Sequence, residues 1–346
     1  MIDQKKIVLG ISCGDISGVG VEAILKAFSN NDLFEFCTPV LYVPQQVLNY
    51  YKKKHPELQD FNYYVVKKSK SLSESKLNVI KILHDHIDIR PGFPSALGAQ
   101  IAVQSLDLAI KDLKSDSIQV LLTLPVNKHN ISTIKKSFIG HTEYMSDSFN
   151  DLDTLMILCH EKLRIATLTN HVPISKVSKL ITKASLKNKL DLLIETLRVD
   201  FLISKPKIAV LGLNPHAGDD GLVGSEEIDV IAPVINDFFN QGHLVYGPYS
   251  ADAFFGKGSF ASFDAVLGMY HDQALIPFKF MSFNQGVNYT AGLPVIRVSP
   301  DHGVAYDIAG QNTVNIDSIL SAIFLGIKLY SNRQLRAGLE EKSVEE

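Results

Sequence analysis

The chain has 346 residues, 46% of them hydrophobic, enough to bury a core in each of two lobes. With 34 basic and 37 acidic side chains its net charge is −3, which excludes a broad electropositive field for nucleic acid or an anionic membrane, so any anion site must be local. Cys13, Cys37 and Cys159 are odd in number and far apart, which excludes a disulfide framework and a C-x-x-C centre and points to a reducing, cytoplasmic setting.

The first element, "KIVLGI" (6–11), reads as a strand and is too short for a signal core; no run in the chain reaches membrane-spanning length. "SCGDISGVGVEAI" (12–24) then makes a tight glycine turn into the helix "VEAILKAF" (21–28). It lacks the third glycine of G-x-G-x-x-G, so as a dinucleotide fingerprint it is weak. "PVLYV" (39–43) is the next strand, the Lys/Ser-rich "KKSKSLSESK" (67–76) a solvated loop, "GAQIAVQSLDLAIKDL" (98–113) an amphipathic helix and "IQVLLTL" (118–124) a strand. "TLMILC" (154–159) and "RIATLT" (164–169) are joined by only "HEKL", too short for a parallel crossover, and are expected to form an antiparallel hairpin. One amphipathic stretch covers 174–199, "KIAVLGL" (207–213) is a strand, 227–242 a helix and "DAVLGM" (264–269) a strand. The charged tail, 335–346, is expected to fray. Apolar strands alternating with helices give the α/β class, with a mostly parallel sheet covered on both faces and made mixed by the hairpin.

Three of these strands end alike. "RIATLT" runs into His171, "KIAVLGL" into Asn214-Pro215-His216, and "DAVLGM" into Tyr270-His271-Asp272. Loops beyond the carboxyl ends of parallel strands line the ligand crevice, so the three imidazoles are expected to converge as a metal site with positions left open for substrate. A lone histidine is more often hydrogen-bonded than ligating; the shared placement is what favours the metal. Of the others, His160 begins the hairpin turn and is read as structural, and His55, His84, His86 and His243 are expected to face solvent. His129 and His302 lie on loops and are not expected to be ligands. Asp252 and Asp272 are candidates for orienting the histidines or for proton transfer, with a capping role open for Asp252.

Two segments suit an anion. Gly140-His141-Thr142-Glu143 precedes a helix and reads either as an oxyanion cradle or as an N-cap by Thr142 with Glu143 in the first turn. Lys279, Asn288 and Arg297 stand in a region poor in charge; a cation there needs an anionic partner, either a ligand or a salt bridge.

Taken together, "GDISGVGVE", "GHTEY", "TNHVPI", "GLNPHAGDDGLVGSEE", "MYHDQALIPFK" and "GVNYTAGLPVIRVSPDHGVAYDIAG" resemble the 4-hydroxythreonine-4-phosphate dehydrogenase family of vitamin B6 biosynthesis, over residues 5 to 335 and in the family's order. The resemblance implies a two-lobed α/β/α fold like that of isopropylmalate and isocitrate dehydrogenases, without a standard Rossmann fingerprint, and a homodimer with its site in the interlobe cleft. By that analogy residues 1–128 plus 271–346 form one lobe and 129–270 the other, which carries the dimer contact. It further implies that His171, His216 and His271 bind a divalent metal (Zn, Co, Mg or Mn) shared across the dimer, and that His141, Thr142, Lys279, Asn288 and Arg297 hold a small phosphorylated amino acid. Asp272, Asp252 and Lys279 are the catalytic candidates.

The implied reaction is oxidation of the C3 hydroxyl of 4-phosphohydroxy-L-threonine by NAD or NADP, assisted by the metal, to a β-keto acid that decarboxylates to 3-amino-2-oxopropyl phosphate. Two departures stand out: Asp15-Ile16-Ser17-Gly18 replaces the family's acidic-Pro-Ala-Gly run, and Val21 stands where proline is common. The residues leave open a paralogue acting on a phosphothreonate or phosphoerythronate, and a metal-dependent hydrolase that would turn over without nicotinamide. A ligand sensor lacks any attached DNA-binding segment.

Overall fold

The structure is a computed structural model that describes residues 6–66 and 71–345. Its strands are β1 (Ile7–Ser12), β2 (Cys37–Val43), β3 (Tyr63–Val65), β4 (Leu77–Lys81), β5 (Val120–Thr123), β6 (Leu155–His160), β7 (Leu163–Thr167), β8 (Lys207–Leu211), β9 (Leu244–Tyr249), β10 (Ala265–Gly268), β11 (Val287–Ala291) and β12 (Ile296–Pro300). The seven apolar runs read from the sequence correspond to β1, β2, β5, β6, β7, β8 and β10; the other five are additional. The start of the Lys/Ser-rich loop, 67–70, and residue 346 of the tail lie outside the described residues.

The chain divides into two compact units, 1–152 with 293–330 and 153–292 with 331–346. Lobe limits near 128 and 270 are expected from the family resemblance; the division falls later, beyond the helices Lys128–Ile134 and His141–Ser148 at the first crossing and beyond the helix His271–Ser282 and β11 at the second.

In the first unit the strands run in the order β3-β4-β2-β1-β5-β12, and every neighbouring pair is parallel. β2 is buried at all seven positions, as a strand covered on both faces must be. Val8, Val40, Tyr42, Leu106, Leu121 and Phe138 belong to the core on one side. The turn after β1 is a buried corner: Gly14 has φ +62, Asp15 accepts from the Ser17 N–H at 2.9 Å and from the Tyr306 hydroxyl at 2.6 Å, and the helix Gly20–Ala27 follows.

In the second unit the order is β11-β6-β7-β10-β8-β9. β6 is antiparallel to both neighbours, through the expected hairpin register Leu158↔Ile165 and through Asn288↔Leu158 of β11. β7, β10, β8 and β9 are mutually parallel. Leu158, Ile165, Ala209, Val266, Leu275 and Phe278 pack in its core.

Three expectations are corrected. The stretch 174–199 is two helices, Ile174–Leu180 and Lys183–Val199, because Thr182 and Ser185 exchange side-chain to backbone hydrogen bonds in a capping box that starts the second. The charged tail is helical through residue 345: the last helix runs Asp317–Glu345, and before the tail Arg333 donates to the buried Asp200 at 2.5 Å, with Tyr289 donating to the same carboxylate at 2.5 Å. His55 does not face solvent; it is buried, stacked on Tyr51, with Nε2 3.6 Å from Glu22.

Candidate active site

The parallel strands β7, β10 and β8 are neighbours, so the residues following them leave one end of the second unit's sheet together. His171 and His271 meet there, with ring centroids 5.7 Å apart. Both line a cavity of about 270 Å³ together with Asn170, Tyr270 and Asp272. Asn170 is fixed by a hydrogen bond from Thr167, and His271 opens the helix His271–Ser282. His271 Nδ1 lies 2.7 Å from Asp272 Oδ1, which fixes the ring's tautomer and leaves Nε2 for a ligand.

His216 follows β8 but does not complete a trio within the chain: among the described residues, no three His, Cys, Asp or Glu side chains gather to hold a metal. It is exposed, in a left-handed turn, and its electrostatic neighbour is Asp252. The Asp252 carboxyl is held below its ordinary pKa first by the Ser250 hydroxyl, which donates to it at 2.5 Å, and in smaller part by His216. The donor chemistry present, two imidazoles facing one cavity and one of them braced by a carboxylate, fits a divalent ion that takes further ligands from elsewhere.

The first unit carries a separate cluster. Arg297 on β12 is buried and donates through Nε and Nη2 to Thr123 Oγ1 at 3.0 and 2.5 Å. Burial lowers its guanidinium pKa to about 10, against the opposing pull of the Glu143 carboxylate. His141 begins the helix His141–Ser148 and is held well below its ordinary pKa, by burial first and then by the positive charges of Arg297 and Lys128. The N-cap is Gly140, not Thr142; Thr142 is the second helical residue and Glu143 lies in the first turn. The result is two cations and a neutral imidazole around one carboxylate at a helix start, a surplus of positive charge suited to a phosphate.

Lys279 and Asn288 belong to the second unit. The charge-poor surroundings of Lys279 in sequence are not burial: it lies on the exposed face of its helix, beside Ile276 and Phe280. Asn288 is half-buried, and its Oδ1 has no hydrogen-bond partner among the described residues.

Lys128 was missed by the sequence reading. It follows β5 through Pro125-Val126-Asn127, the same strand-end position that singled out the histidines, and applying that rule to cations would have found it. Glu227 and Gln273 were missed too. Neither belongs to a recognisable spacing, and only the folded backbone shows what they hold.

The family model described as "Pyridoxal phosphate biosynthetic protein PdxA" matches residues 35–326. A Bacteroides thetaiotaomicron protein named 4-hydroxythreonine-4-phosphate dehydrogenase is 41% identical, over 96% of this chain and 91% of its own length. An Oceanobacillus iheyensis protein with the provisional name D-threonate 4-phosphate dehydrogenase is 35% identical, over 94% of this chain and 98% of its own. The crystal structure of a 4-hydroxythreonine-4-phosphate dehydrogenase from Klebsiella pneumoniae superposes with a TM-score of 0.80 at 29% identity, covering 95% of this chain and 99% of that one.

Proposed function

We propose a function on the premise that this chain belongs to the PdxA family of pyridoxal phosphate biosynthetic proteins: it is a cytoplasmic, homodimeric oxidoreductase that converts 4-phosphohydroxy-L-threonine with NAD or NADP. The observation that carries the reading is the His171–His271 pair, with Asp272 on the far nitrogen of His271, at the shared end of β7 and β10. His216 of a second copy is the third ligand in this reading, since among the described residues no three His, Cys, Asp or Glu side chains gather to hold a metal. Ile276, Phe280 and Phe283 stand exposed on and just after the helix that His271 begins, an apolar face that a second copy would cover.

Each group has a task. His171, His271 and His216 hold a divalent ion (Zn, Co, Mg or Mn), which supplies Lewis acidity to the substrate hydroxyl. Bound NAD or NADP would supply the hydride acceptor. Arg297, His141 and Thr142 hold the phosphate: Arg297 presents a fixed guanidinium, and neutral His141 donates a ring N–H without adding a buried charge. Lys279 and Asn288 orient the remaining polar groups of the substrate. Asp252, whose carboxyl stays ionised beside His216, is the candidate to receive the hydroxyl proton, and the Lys279 ammonium is the candidate to pair with the anion that forms. The product β-keto acid then loses carbon dioxide to give 3-amino-2-oxopropyl phosphate.

The provisional name of the O. iheyensis relative favours one second reading, oxidation of a phosphorylated threonate by the same residues. The test incubates purified protein with 4-phosphohydroxy-L-threonine, NAD or NADP and a divalent ion, with and without chelator, and follows the reduced cofactor. Metal-dependent reduction with that substrate supports the primary reading. Signal with D-threonate 4-phosphate alone supports the second, and turnover without nicotinamide would make the protein a hydrolase.

A further inference from the structure

Resting on the metal-site reading above, we propose that Glu227 is the positioning residue for His216: its buried carboxylate locks the loop after β8 into the left-handed turn that presents the imidazole.

The turn is unusual in its own right. His216, Ala217, Asp219 and Asp220 have φ of 55, 52, 44 and 51°, and Gly218 between them has 86°. Side chains of L residues crowd the backbone in this region, so a run of five holds only where surrounding bonds impose it.

Glu227 supplies those bonds. It is 3% exposed, and Oε1 accepts from the Leu213 N–H at 2.7 Å and the Asn214 N–H at 2.8 Å. Oε2 accepts from Asn214 Nδ2 at 2.9 Å. These are the last residues before Pro215-His216, so one carboxylate fixes the backbone from which the imidazole departs. Residues of the turn and its approach close around the same oxygens. A Cβ on Gly218 would lie 2.8 Å from Oε2, and one on Gly212 would lie 3.0 Å from Oε1 and 2.9 Å from Ala217 Cα. Glu227 itself opens a π-turn, Glu227–Ile231, before the helix Ala232–Asn240, an irregularity of the kind that redirects a side chain at functional sites.

Gln273 ties this loop to the other metal arm. Its Oε1 accepts from the Met269 N–H and its Nε2 donates to the Gly212 carbonyl, both at 2.6 Å, two residues from His271 along the chain. The bonds of Glu227 land on the ligand-bearing loop rather than on strand or helix interiors. Loosening them should therefore act on metal binding before it acts on the fold.

Glu227→Gln tests this, since it keeps the shape but sets an amide N–H₂ against N–H donors. Gly218→Ala, which presses a methyl on the carboxylate from the other side, is the second variant. Metal-free parent, both variants and His216→Ala are titrated with Co2+ while the visible absorption of the bound ion and the helical circular dichroism are recorded. The expected result is Co2+ affinity about 10–100-fold below the parent in both variants, with an altered ligand-field spectrum and unchanged helix content. Parent affinity and spectrum in Gly218→Ala, or in folded Glu227→Gln, would overturn the proposal. Parent-like Co2+ binding by His216→Ala would instead overturn the metal-site reading on which it rests.

Discussion

The rings of His171 and His271 face each other at 5.7 Å although they leave different strands, β7 and β10, and Asp272 holds the second ring from behind at 2.7 Å. The side chain of Asp272 is 73% exposed, so it contributes little to the core, and its value lies in orienting the imidazole. Asp272→Ala is expected to weaken divalent-metal binding about 10–100-fold with no change in the metal-free melting temperature. Competition with a chromophoric chelator measures the first and calorimetry the second. Unaltered metal affinity would remove Asp272 from the site.

In the other unit, Glu143 offsets the charge of an arginine that burial alone would make costly. Glu143→Gln removes that carboxylate and should lower stability in urea unfolding, the direction set by its pull on the buried guanidinium. A loss under about 0.5 kcal/mol, typical of surface changes, would mean Arg297 is neutralised by other groups.

His141 gives the chain a pH dependence of definite sign. Its pKa in the folded chain is well below the ordinary 6.5, so on acidification the unfolded chain takes up a proton there that the folded chain refuses. Stability contributed at this position is therefore present above about pH 6.5 and lost as pH falls below it. Melting temperatures from about pH 8 to about pH 5 should fall less steeply for His141→Gln than for the parent. Parallel curves would show that His141 titrates normally.

The strands β5, β7, β8 and β10 were legible because their buried runs are apolar, as strands covered on both faces are. Three of the five missed are interrupted or short. β12 carries the buried Arg297 in mid-strand, β9 contains Gly247-Pro248, and β3 is three residues long at the edge of its sheet. The break at Thr182 escaped because the apolar period continues through it, while the capping box that causes it is a local hydrogen-bond signal. The strand-end rule located the histidines, yet the path of the His216 loop depends on Glu227, 14 residues from Leu213 and 13 from Asn214, which no periodicity encodes.

The exposed apolar face of Ile276, Phe280 and Phe283 carries a further expectation. A charge placed there, Phe280→Asp, should convert a dimer into monomers in light-scattering chromatography and lower metal affinity at the same time, because His216 would no longer arrive from the second copy. A monomeric parent, or a monomeric variant with parent metal affinity, would contradict the shared site.

The most direct test of that sharing mixes two inactive chains, His216→Ala and His171→Ala, after unfolding and joint refolding. A heterodimer then holds one intact set, His171 and His271 from the first variant with His216 from the second. The account predicts that metal-dependent cofactor reduction returns to about a quarter of the parent rate, since half the dimers are mixed and one of two sites in each is whole. No recovery above the separate variants, with heterodimers shown to be present, would place all the ligands within one chain and contradict the account.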